Sequence, residues 1–196
     1  MMPDLPEKKF NLPNLLSLYR LLLAPILVLL ALSDERTLFV LFLCISFVTD
    51  VLDGIIARAW NLSTSFGARL DSVADEMTYV AALVGAFQFE YQTLKPHISL
   101  LYAFIGLLTI ATFLPLIKFG KIPGFHLYSF KINALLQGIF FFSLFVFDFY
   151  IYLYYPVFIF GILACVESIS ITLLLDKPIS DAKGIYWVLL KKGDRC

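Results

Sequence analysis

The sequence predicts an all-α integral membrane protein: six transmembrane helices with a short N-terminal interfacial helix, in one domain spanning residues 1–196. Three observations predict it. Of the residues, 60% are hydrophobic and 15% are charged, against roughly half and a quarter in a soluble domain. Six segments approach or exceed the roughly 20 apolar residues that a bilayer core requires. Finally, the basic residues gather on one side of an even-numbered bundle. The formal net charge of zero says nothing about partners.

The N-terminal stretch "PDLPEKKFNLPN" reads as the interfacial helix, with Phe10 and Leu12 toward lipid and Lys8 and Lys9 toward headgroups. The first span covers about 14–33. Its "LLLAPILVLLALS" core resembles a signal peptide, but five comparable segments follow, so it is read as retained. Pro25 inside it predicts a kink instead of a break. The remaining spans cover about 37–58, 70–90, 96–117, 130–149 and 152–175. Arg58, Arg69, Lys118, Lys121, Lys131 and Lys183 all fall on one side, with Arg36 and Lys95 on the other. The positive-inside rule therefore places both termini, and the loops after spans two and four, in the cytoplasm. The final "DKPISDAKGIYWVLLKKGDRC" reads as an amphipathic surface tail. Cys44, Cys165 and Cys196 have neither disulfide nor metal-ligand spacing.

One stretch contradicts its surroundings: "VTDVLDGIIARAWNLSTSFGARLDSVADEM", residues 48–77. Asp50, Asp53, Gly54, Ala57 and Arg58 step by three, one, three and one, a single helical stripe. Gly67, Asp71 and Asp75 step by four and form a second stripe at the start of span three. A short polar turn joins them, so the stripes can face each other across adjacent antiparallel helices. Gly54, Ala57 and Gly67 would allow close approach of a backbone or a bulky ligand. Asp50 lies about 12 Å from the cytoplasmic end of its helix, at 1.5 Å per residue. An intramembrane carboxylate costs about 2.5–3.5 kcal/mol and requires a partner or a cavity. With Arg58 and Arg69 as the nearby cations, about two negative charges stay uncompensated. Two divalent ions answer that deficit, and an all-oxygen donor set favours Mg²⁺, Mn²⁺ or Ca²⁺ over zinc. A network of ion pairs, or a divalent-cation transport path, is the alternative.

These residues identify the chain as resembling the CDP-alcohol phosphotransferase family (CDP-alcohol phosphatidyltransferase class I). That family's signature, D-x2-D-G-x2-A-R-x8-G-x3-D-x3-D, is matched without a gap from Asp50 to Asp75. The resemblance covers the first three spans well and the last three in hydropathy. It implies a two-metal site held by Asp50, Asp53 and Asp71, with Asp75 near the metals and serving as general base. It implies further that Asn14, Ser17, Gly54, Ala57, Arg58, Thr64 and Gly67 hold the CDP moiety of a CDP-lipid, and that Arg20 could reach a phosphate. For Asn14 a helix N-cap is the competing role. The implied reaction, a step of phospholipid biosynthesis, moves a phosphatidyl group from CDP-diacylglycerol to a polar alcohol and releases CMP. No nucleic acid is involved, and a homodimer is expected.

The entrance "NLPNLLSLYRLLLAP" looks most like the phosphatidylglycerophosphate synthase branch, which implies glycerol 3-phosphate as acceptor. Lys118, Lys121, His126 and Lys131 are placed by hydropathy to meet its phosphate, although Lys118 and Lys121 equally suit headgroup anchoring. In that branch a basic residue is closely followed by Thr. Here "SFKINALLQ" keeps Lys131 and lacks the Thr, so serine, an inositol phosphate or phosphatidylglycerol stay open as acceptors. Glu167 is an intramembrane carboxylate, either a site residue or a hydrogen-bond partner of a neighbouring helix.

Overall fold

The computed structural model describes residues 11–60, 62, 64–120, 127–175, 184, 185 and 187. The regular structure in these residues is helical throughout. Among them, seven α-helices follow in chain order: α1 Leu12–Leu32, α2 Arg36–Ala59, α3 Ser65–Phe89, α4 Tyr91–Leu94, α5 Ile98–Phe119, α6 Tyr128–Val146 and α7 Ile151–Leu174. A 3-10 turn at Lys95–His97 joins α4 to α5. Among the described residues, five helical stretches are long and apolar enough to cross a membrane: α1, α2, Tyr91–Phe119, α6 and α7. Helix α3 has the length, at 25 residues. Its Arg69, Asp71, Asp75 and Glu76 set it apart in composition. The expected interfacial helix and most of the C-terminal tail lie outside the described residues.

The chain forms two compact units, Met1–Thr93 and Leu94–Cys196. In the first, α1 packs along both α2 and α3, which touch each other far less. The Asn11 side chain caps α1 by accepting the Asn14 N–H at 2.9 Å, and a proline follows in the first turn. Asn11 is therefore the cap, and Asn14 is the residue it caps. Helix α1 runs through Pro25 and ends at Ser33 and Asp34, whose φ of 61° is the left-handed conformation that short polar side chains tolerate. Helix α3 begins five residues before the expected start, because Thr64 accepts the Gly67 N–H at 2.9 Å and caps it there. A hydropathy reading discards that polar first turn.

In the second unit α7 packs against α5 and α6. Its core is aromatic: the Phe158 ring lies 4.8 Å from Tyr154, 5.3 Å from Phe140 and 5.5 Å from Phe104. Tyr154 is fully buried, and its hydroxyl donates to the His97 carbonyl at 2.7 Å. Lys118 donates to the Thr172 and Leu173 carbonyls, each at 3.0 Å, which places a cation at the C-terminal end of α7. Glu167 accepts from Ser129 Oγ at 2.5 Å and from the Ile185 N–H at 2.9 Å, so its carboxylate is hydrogen-bonded to α6 and to the chain beyond α7.

Candidate active site

The site is built from the first three helices. Asn14, Ser17 and Arg20 recur every third residue on α1 and share one buried face. The chain between α2 and α3 is tied to the start of that face. Asn11 Nδ2 donates to the Leu62 carbonyl at 2.8 Å, and Asn14 Nδ2 donates to Thr64 Oγ1 at 3.3 Å. Gly67 is needed where these elements meet, because a Cβ there would overlap Asn14 Oδ1 and Thr64 Oγ1. Gly54 has a different surrounding: a Cβ there would stand 3.7 Å from the Arg58 guanidinium, in ordinary contact.

Asn14 and Ser17 from α1, Gly54, Ala57 and Arg58 from α2, and Thr64 and Gly67 from the α3 entrance line one cavity of about 200 Å³. Asp53 and Asp71 line it as well. The seven residues expected at a CDP moiety are thus brought together. Asp50, Asp53 and Asp71 each offer an oxygen within 4.8 Å of the others. A six-coordinate Mg²⁺ with oxygens at about 2.1 Å spans roughly that distance between opposite ligands. The donor set is entirely carboxylate oxygen, so it suits a hard divalent cation.

Arg20 overturns the expected charge balance. It is 1% exposed and stands among all four aspartates. Nη1 lies 2.7 Å from Asp50 Oδ1 and 2.5 Å from Asp75 Oδ1. Nη2 lies 3.0 Å from Asp53 Oδ2 and pairs also with Asp71 Oδ1. Asp53 is nearly as buried and takes a further hydrogen bond from Ser17 Oγ at 3.2 Å. Arg58 and Arg69, the cations expected to serve this cluster, form no ion pair among the described residues. The reason lies in the topology, since α1 fits against both α2 and α3 and delivers its own cation to the carboxylates. A signal existed in the sequence: a lone arginine in an apolar span needs carboxylate partners.

Asp75 meets the cluster through Arg20 and is not one of the three converging ligands. Lys131 is exposed on α6 in the second unit, and Lys118 is engaged at the end of α7. Lys121 and His126 lie outside the described residues.

Five helical stretches long and apolar enough to cross a membrane, with a carboxylate-lined cavity among α1, α2 and α3, define a multi-pass integral membrane protein. The family profile for CDP-alcohol phosphatidyltransferase matches residues 10–172, and the chain belongs to that family. It is 44% identical over 79 residues to the CDP-diacylglycerol–glycerol-3-phosphate 3-phosphatidyltransferases of Escherichia coli (strain K12) and Salmonella choleraesuis (strain SC-B67). That of Shigella boydii serotype 4 (strain Sb227) matches equally. The aligned stretch is 39% of this chain and 43% of each relative, less than half the length of these proteins.

Proposed function

We propose that the protein transfers a phosphatidyl group from CDP-diacylglycerol to glycerol 3-phosphate, releasing CMP. The observation that carries this reading is the convergence of the Asp50, Asp53 and Asp71 oxygens beside the cavity lined by Asn14, Arg58, Thr64 and Gly67. The relatives' names supply the acceptor.

Asp50, Asp53, Asp71 and Asp75 would hold two divalent cations, Mg²⁺ or Mn²⁺. Bound there, they would supply neutralisation of the charge that develops on the pyrophosphate as CMP leaves. The polar side chains of Asn14, Ser17 and Thr64 offer hydrogen bonds to the cytidine and ribose, and Arg58 offers a cation to a phosphate. Gly54, Ala57 and Gly67 keep the wall low enough for the ligand. Asp75 takes the proton from the acceptor hydroxyl as its oxygen attacks the lipid-bearing phosphorus. The new P–O bond joins acceptor to lipid phosphate, and the bond to CMP breaks. Lys131, exposed at the start of α6, is assigned to the acceptor's phosphate. Lys131→Ala should raise KM for glycerol 3-phosphate severalfold and leave KM for the donor unchanged, in steady-state assays varying each substrate; equal changes in both would remove that role.

In this reading α3 completes six crossings, the termini and the site face the cytoplasm, and the chain acts as one domain within a homodimer. The experiment is an assay of CMP release from CDP-diacylglycerol by the purified protein, with a panel of acceptor alcohols. Release with glycerol 3-phosphate supports the assignment. Serine, an inositol phosphate or phosphatidylglycerol as the preferred acceptor would keep the chemistry and change the substrate.

A further inference from the structure

Arg20 is satisfied at its two terminal nitrogens and not at its third. Its two terminal nitrogens reach four carboxylates, while its Nε is buried without a hydrogen-bond partner. An arginine built to stay usually matches its planar fork to a partner and satisfies its remaining donor. Here the guanidinium is held by hydrogen bonds and charge at its two tips, divided among four carboxylates. Moreover, Asp50, Asp53 and Asp71 are both its partners and the three residues whose oxygens converge for a metal. Guanidinium and metal ion draw on the same carboxylates.

We propose that Arg20 is a built-in counter-cation, which neutralises the acidic cluster in the metal-free protein and is displaced from the carboxylates when divalent ions bind. The inference rests on the metal reading above. Four carboxylates converging between membrane helices cannot stay uncompensated. A single guanidinium balances them in part, and divalent ions balance them better. Metal binding is therefore an exchange, and its apparent affinity is reduced by the fraction of sites that Arg20 holds. Emptied of metal, the site stays folded instead of flying apart.

The test is Mn²⁺ titration of the full chain in detergent, following the free ion by electron paramagnetic resonance, alongside thermal unfolding with and without Mn²⁺. The wild type, Arg20→Gln and Arg20→Lys are compared. Arg20→Gln should bind Mn²⁺ roughly tenfold or more tightly, the scale of one unit charge removed from beside the ion. Its metal-free unfolding midpoint should fall, and Mn²⁺ should raise that midpoint more than in the wild type. Arg20→Lys should lie between, since an ammonium cannot fork toward four carboxylates; it carries the comparison if Arg20→Gln does not fold without metal. Unchanged or weaker Mn²⁺ binding in the variants overturns the proposal and makes Arg20 a holder of the carboxylates. Mn²⁺ bound by none of the three proteins overturns the metal reading itself, and the exchange with it.

Discussion

Asp75 pairs with Arg20 at 2.5 Å, as the other three aspartates also pair with it, but Asp75 stands outside the three whose oxygens converge. Asp53 is 5% exposed at its side chain, whereas Asp75 is 38% exposed, close to the 41% of Asp50 and of Asp71, so exposure sets Asp53 apart from the other three. A proton acceptor must reach its proton, and a buried ligand need not. Asp75→Asn keeps the shape and removes the basic oxygen. It should lower kcat by about 10²–10⁴-fold, the usual worth of a positioned general base. Binding of CDP-diacylglycerol, followed by calorimetry, should persist; turnover at the wild-type rate would take the base assignment away. Arg20 is the cation that a charge balance confined to the motif leaves out. Charge was balanced within residues 48–77, where the motif lies, while the balancing cation came from 30 residues earlier in the chain. No local pattern carries that pairing, because it depends on how α1 fits against α2 and α3.

At the scale of elements, the helices begin and end within about five residues of the apolar segments read from the sequence. Apolar runs of 20 or so allow one structure in lipid, the helix, whose backbone groups satisfy each other. The error at α3 has the same origin: its start is marked by a Thr64 cap and charged residues, which hydropathy counts against a span. The cavity was also legible in its parts, since steps of three and four fix which residues share a helix face. Its closure was not, because it depends on the bonds from Asn11 and Asn14 to the α2–α3 connection. Gly67 sits at that junction. Gly67→Ala should lower the thermal midpoint, with a cost of about 1–3 kcal/mol typical of overpacking. It should also raise KM for the CDP-lipid, and adding Asn14→Ala should restore part of the lost stability by removing the overlapping group. Wild-type stability and KM in the Gly67→Ala variant would mean that this junction yields freely.

For the whole molecule, composition alone separated a membrane protein from a soluble one, and the family profile over residues 10–172 agrees with the motif in residues 50–75. The two halves carried unequal information. The first has fixed spacings of Asp, Gly and Arg; the second has apolar helices around an aromatic core, with Lys118 and Glu167 tied to neighbouring segments. Chemistry is therefore read from the first unit. The acceptor rests on Lys131 and on relatives aligned over 39% of the chain. A CDP-lipid donor, as proposed, would give the membrane setting its purpose, since acyl chains can stay in the bilayer while the headgroup enters a carboxylate-lined cavity.

The central claim is metal-dependent phosphatidyl transfer, and CMP release tests it most directly. Purified protein should release CMP from CDP-diacylglycerol when glycerol 3-phosphate and Mg²⁺ or Mn²⁺ are both present, and should stop when EDTA removes the metal. No release with any polar alcohol, together with divalent-cation flux through the protein in liposomes, would contradict the account.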